Sequence, residues 1–288
     1  MCDEHDLARW GKRAMNRRTF GAGALAAGAA ACAPVEGSAG DGAPAPLTEG
    51  KVRFDLADGT MDGEFYHPAR GKHPGVILWP DIAGIRPAKR QMARRLASAG
   101  YAVLLANPYY RDVEGQQFAD FAAFAGQGGF QTVTPWRGKF TLDTIRRDTS
   151  GCADWLLGQA AVDGTRGMGA QGYCMTGSFA LLAPAAHSGM RAGASFHGGG
   201  LVREGEQSPH LMLREEAHYL VAIAKNDDAK APGDKTALRE AADAAGTDAE
   251  IEVYAGDHGW CVPDSPSYDE AEAERAWTRL LALYAKAL

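Results

Sequence analysis

Gly172-Tyr173-Cys174-Met175-Thr176-Gly177 stands between a short apolar run, Arg166 to Gln171, and a helix-forming segment, Ser178 to Ala186. A strand that meets a helix through so tight a turn lifts the residue at its apex clear of the sheet. Small neighbours let the backbone make that turn, so Cys174 is the expected apex. The helix N-terminus behind it offers free N–H groups and the positive end of a dipole, which lower a thiol's pKa. Taken alone the pattern is short, and buried cysteines are common. Its weight comes from what surrounds it.

Working outward, short apolar runs alternate with amphipathic segments. Lys51 to Leu56 and Met61 to His67 read as an antiparallel hairpin around Asp58-Gly59. Gly75 to Trp79 and Tyr101 to Ala106 read as buried strands, with a helix from Pro87 to Ala99 between them. A long helix is expected over Thr141 to Leu157, with Leu142, Ile145, Thr149, Cys152 and Leu156 near one face. Further strands are expected at Ala192 to Phe196, Tyr219 to Ala224 and Glu250 to Tyr254, and helices at about 234–245 and 269–286. This rhythm predicts an α/β fold, a doubly wound and mostly parallel sheet flanked by helices, in one domain over 51–288.

Two later features join Cys174. Asn226-Asp227-Asp228 follows the strand Tyr219 to Ala224, and His258 sits in Gly256-Asp257-His258-Gly259-Trp260 after the strand Glu250 to Tyr254. A nucleophile, an acid and a histidine, each just past a strand's carboxyl end, make the chain order of an α/β-hydrolase triad. The acid stays open between Asp227 and Asp228, with Asp257 a third candidate whose side chain should point away from the ring. Trp260 and Tyr109 are candidate pocket residues, with Tyr110 and Trp136 behind them. His197-Gly198-Gly199-Gly200 reads as a flexible strand-end loop. Histidines 187, 197, 210 and 218 have no spacing that suggests a metal site, and no cofactor is expected.

These motifs together resemble the dienelactone hydrolase family, whose elbow reads G-Y-C-x-G-G and departs here only at Thr176. Trp79-Pro80-Asp81-Ile82-Ala83-Gly84 resembles that family's loop after the third strand, and Ala99 to Val103 and Pro108 to Arg111 resemble further landmarks. The resemblance implies an ester or lactone hydrolase working through an acyl-enzyme. It assigns oxyanion-hole N–H groups to Ile82 and Met175, and to Asp81 an acidic role that gates the resting thiol. Ala224-x-x-Asp227 matches the family's G-x-x-D, whereas Asp228 fits D-x-x-x-P ahead of Pro232. Four residues after the histidine, family members that open dienelactone place a carboxylate-binding arginine. Here that residue is Val262, and residues 112–140 do not reveal the second arginine.

The N-terminus is different material. Asn16-Arg17-Arg18-Thr19-Phe20 precedes an uncharged run of Gly, Ala and one Leu to Ala31, the build of a twin-arginine export signal over residues 1–32. Cys32 after Ala29-Ala30-Ala31 resembles a lipobox with Ala where Leu is usual, so a lipid anchor and simple cleavage stand side by side. The expected location is the periplasm or a membrane-anchored lipoprotein of a bacterium. The run falls short of the ~20 apolar residues that span a bilayer. Residues 33–50, rich in Pro, Gly, Ala and Ser, read as a flexible linker.

The net charge of -6, with no basic patch past the leader, argues against nucleic acid. A monomer acting on a small molecule is expected. Cys152, Cys174 and Cys261 are an odd number, so at least one thiol stays unpaired. Other functions fit less well. A serine esterase needs another elbow, since Ser178 should already be helical. A thiol-redox protein wants a C-x-x-C pair, which is missing. A binding protein on an inactivated fold has no reason to keep all three triad candidates.

Overall fold

A computed structural model describes residues 46–288, so the expected export signal, Cys32 and most of the expected linker lie outside the described residues. The described part is one eight-stranded sheet with helices on both faces. The strands are β1 (Leu47–Leu56), β2 (Gly59–Pro68), β3 (Gly75–Trp79), β4 (Ala102–Ala106), β5 (Met168–Tyr173), β6 (Met190–Phe196), β7 (His218–Ala224) and β8 (Asp248–Tyr254). Their spatial order is β1-β2-β4-β3-β5-β6-β7-β8. β1 and β2 form an antiparallel hairpin, β2 runs antiparallel to β4, and every later pairing is parallel.

The helices are α1 (Pro87–Ser98), α2 (Phe121–Gly126), α3 (Gly129–Arg137), α4 (Leu142–Leu157), α5 (Gly177–Ala186), α6 (Lys225–Lys230), α7 (Asp234–Ala245) and α8 (Glu270–Ala287). α1 starts on Pro87, whose missing N–H costs nothing in a first turn. α4 is opened by Thr141, which shares a reciprocal capping box with Thr144. β3 and β4 are wholly buried, as are their runs of Val, Ile, Leu and Ala, because helices cover both faces.

Three expectations shift. β1 begins at Leu47, so residues 47–50 pair with β2 instead of belonging to the linker. β5 lies two residues later than expected, and α5 takes in Gly177. Residues 112–140 hold two short helices, α2 and α3. Phe118, Phe121, Phe124, Phe130 and Val133 from this segment bury themselves against Ile82, Tyr109 and Cys174.

The chain direction across the sheet reverses between β3 and β5, which are hydrogen-bonded neighbours. Loops leaving two such strands part to opposite sides and open a crevice at their carboxyl ends. The elbow after β5 and the Asp81–Arg86 loop after β3 flank that crevice.

Candidate active site

Cys174 follows β5 directly and has φ of 56°, a left-handed conformation that costs a non-glycine residue energy. The surrounding backbone enforces it. A Cβ on Gly172 would fall 2.0 Å from the Thr176 carbonyl, and one on Gly177 would fall 2.5 Å from the Gly198 Cα. Thr176, the departure from the family pattern, fastens the turn. Its hydroxyl accepts the Tyr173 N–H at 2.9 Å and lies 3.0 Å from the Pro80 carbonyl, to which it can donate. The Gly199 N–H donates to the Cys174 carbonyl at 3.0 Å, so the loop after β6 grips the elbow from the other side.

His258 lies in the loop after β8, buried, and its backbone N–H donates to Asn226 Oδ1 at 2.8 Å. Its Nδ1 meets Asp227 Oδ2 at 2.6 Å. Asp228 turns away, and both its oxygens accept from Lys235 at 2.7 and 2.8 Å. Asp257 faces Lys225 at 3.5 Å, also away from the ring. Burial disfavours the charged imidazole. The Cys174 charge, hydrogen bonds to Asp227 and Cys174, and the Asp227 charge together outweigh it, so His258 holds its proton more tightly than an ordinary histidine.

All three described cysteines are buried. Burial pushes the Cys152 thiol well up and that of Cys261 to about 12. Cys174 is the one hydrogen-bonded to a histidine that an aspartate orients.

Asp81 lines a narrow recess with Cys174 and His258, but its carboxylate is engaged. Arg86 donates to it through two nitrogens at 2.7 and 2.9 Å, Ala83 N–H donates at 3.0 Å, and Lys89 Nζ lies 2.9 Å away. Burial opposes its charge, yet Arg86 and Lys89 hold the carboxyl well below the usual carboxylate range. Arg86, wholly buried, also grips Asp264 in the histidine loop at 2.7 and 2.9 Å.

Ile82 and Met175 line a wider cleft of about 470 Å³ beside Cys174 and His258. Tyr109 is not on its wall. It is almost fully buried, and its hydroxyl donates to the Ile82 carbonyl at 2.8 Å, bracing the loop from behind. Trp260 is likewise corrected: it is fully buried, stacked on Tyr254 and edge-on to His197. The cleft walls are Phe140 and Phe179, with Arg137 and Arg203 among the lining. Val262 is buried in the recess.

His197 was expected in a flexible loop. It is buried, has φ of 40°, and sets its ring 4.6 Å from that of His258. Burial, reinforced by the His258 charge, keeps it neutral, and neither ring nitrogen has a hydrogen-bond partner. A non-glycine residue directly before three glycines was the available sign of a tight turn there.

The family model for the dienelactone hydrolase family matches residues 61–288. The chain belongs to the dienelactone hydrolase family. Membership places it among hydrolases acting on carboxylic ester or lactone bonds. It is 26% identical over 222 residues to a Salmonella typhi protein provisionally named carboxymethylenebutenolidase, covering 75% of this chain and 78% of that one. A Methylorubrum extorquens protein with the same provisional name is 26% identical over 285 residues, 92% of this chain and 91% of that one. Among solved structures, a provisionally named dienelactone hydrolase from Klebsiella pneumoniae superposes with a TM-score of 0.70 at 23% identity, over 83% of this chain and 99% of that one. A dienelactone hydrolase-like promiscuous phosphotriesterase from metagenomic libraries gives 0.65 at 24% identity, over 84% and 98%. At these identities the structural likeness speaks for the fold.

Proposed function

We propose that this hydrolase cleaves a carboxylic ester or lactone through an acyl-enzyme on Cys174, with His258 as base and acid and Asp227 orienting it. The observation that supports this most is the 2.6 Å contact between Asp227 and His258 Nδ1, on a ring hydrogen-bonded to the apex cysteine. Asp227 fixes the tautomer and offsets the charge of the imidazolium. With the thiol proton on His258, sulfur attacks the carbonyl carbon. The oxyanion forms against the N–H groups of Ile82 and Met175, a contribution typically worth ~3 kcal/mol per donor. Collapse expels the alkoxide, which receives the proton from His258. Water then gives a proton to His258 and its oxygen to the acyl carbon, releasing the acid and freeing Cys174 for the next cycle.

Arg137 and Arg203 line the cleft, while Val262, in the recess, stands where the family's carboxylate-binding arginine would be. Two guanidinium groups at a largely apolar cleft favour a substrate with a negatively charged substituent. The relatives' name, carboxymethylenebutenolidase, describes a lactone with such a group.

The test is hydrolysis of short-chain p-nitrophenyl esters and of lactones by the full chain, beside Cys174→Ala and His258→Ala. Loss of activity in both variants, with an acyl group trapped on Cys174, is the expected result. Full activity in Cys174→Ala sinks the nucleophile assignment. The twin-arginine pattern of residues 1–32 supports export, with Cys32 lipidated or removed. The mass of the mature protein from a fractionated cell distinguishes the two.

A further inference from the structure

Asp81 is the acidic group beside the reactive thiol, and a bare carboxylate there would hold Cys174 protonated, since two like charges share a buried site badly. This carboxylate is far from bare. Arg86 covers both its oxygens at 2.7 and 2.9 Å, and Lys89 Nζ stands 2.9 Å from Oδ2 while lying 3.9 Å over the Tyr173 ring. Arg86 and Lys89 are both fully buried, so water does not screen the pairing. With Asp264, bound to the far edge of Arg86, the cluster holds two carboxylates against two cations. It presents no net negative charge to the sulfur.

Resting on the reading of Cys174 as nucleophile, we infer that Arg86 and Lys89 are positioning residues that lock the charge of Asp81, so that Cys174 is already a thiolate in the free enzyme. The proton has moved from Sγ to the His258 ring nitrogen opposite Nδ1, and Asp227 offsets the imidazolium. No substrate is needed to release a gate. This replaces the gating role that the resemblance suggests for Asp81.

The other groups facing the sulfur agree with this state. Asp227, in α6 after β7, and His258, in the loop after β8, are paired at 2.6 Å. His197, after β6, is held neutral by burial and by the His258 charge, and Tyr109, after β4, stays protonated because burial drives its pKa well up. Arg137 from α3 and Arg203 from the loop after β6 add positive charge along the cleft. The N-terminus of the ten-residue α5, just beyond the elbow, favours an anion.

The experiment is iodoacetamide alkylation of the free full-length enzyme from pH 5.5 to 9, with the label at Cys174 followed by peptide mass and Cys174→Ala as blank. An ordinary thiol of pKa about 8.5 loses roughly 150-fold in rate between pH 8.5 and 6. The wild type is expected to lose no more than about threefold, because thiolate is the reacting form. In Lys89→Met, which keeps the Arg86 pairing, removing a buried cation should cost about tenfold in rate at pH 6. A wild-type profile with its midpoint near pH 8.5 overturns the inference. So does an unshifted profile in a Lys89→Met protein whose circular dichroism matches wild type. Ester hydrolysis on the same samples separates the two readings. A thiol that titrates late in an active esterase sinks only the charge lock, and an early-titrating thiol without hydrolysis sinks only the proposed function.

Discussion

Arg86 reaches 178 residues along the chain to Asp264, pairing Nε with Oδ2 at 2.7 Å and Nη2 with Oδ1 at 2.9 Å. The same Asp264 Oδ2 accepts the Phe121 N–H at 3.0 Å, so one carboxylate ties the loop after β3, the histidine loop and the α2 segment together. Removing it strands one edge of a buried guanidinium and one N–H. Asp264→Ala should lower unfolding free energy by about 2 kcal/mol, since Asp264 is partly exposed and Arg86 keeps Asp81. Urea unfolding measures this. Because Ile82 and His258 sit on two of the three tethered segments, kcat should fall more than KM rises.

Asp227 and Asp228 are adjacent in sequence but meet different partners, His258 and Lys235. Asp227→Asn leaves the ring in place but removes the charge that favours the correct tautomer, so kcat should fall on the order of a thousandfold. Asp228→Asn loses a partly exposed pair with Lys235, a contribution of about 0–1 kcal/mol, and activity should stay within about twofold. Equal losses in the two variants would remove Asp227 from the proposed triad.

Acid stability should report on Asp81. Its folded pKa is depressed by Arg86 and Lys89, against an unfolded value of about 3.9. Below that value the unfolded chain binds a proton that the folded one refuses. The stabilisation is therefore complete above about pH 5 and is lost as pH falls through 4 toward the depressed folded value. Urea midpoints at pH 5 and pH 3 should drop more steeply for wild type than for Asp81→Asn. Parallel drops would mean that Asp81 is not the group responsible.

Arg137 should discriminate substrates by charge. Arg137→Met is expected to raise KM about tenfold for an ester bearing a carboxylate, the loss of one charge-assisted hydrogen bond, and to leave a neutral ester within about twofold. A matched rise for both esters would mean that Arg137 only shapes the cleft.

What could be read in the chain and what could not divides along a physical line. The strand and helix segments, the elbow at Cys174 and the order of cysteine, aspartate and histidine were legible because each rests on residues near one another in sequence. Periodicity reports which faces are buried, and Gly172 and Gly177 mark a turn too tight for a Cβ. Residues 112–140 gave no such rhythm: Phe118, Phe121, Phe124 and Phe130 pack on one another and against Ile82 and Tyr109 instead of on the sheet, so no strand or helix period sets their spacing.

The choice between Asp227 and Asp228 was closed to sequence because they lie in the short helix α6, where successive side chains diverge by about 100°. Only the placement of that turn relative to the loop after β8 decides which one meets His258. His197, Trp260 and Tyr109 took their positions for the same kind of reason, each set by neighbours from distant strands. By itself the sequence determined the α/β architecture and which cysteine sits at the elbow, since local backbone sterics and burial patterns dictate both. Tertiary structure alone decided which aspartate meets His258, which arginines line the cleft and the pairing of Asp81 with Arg86 and Lys89. Charges find their partners through space, and desolvation makes those contacts count.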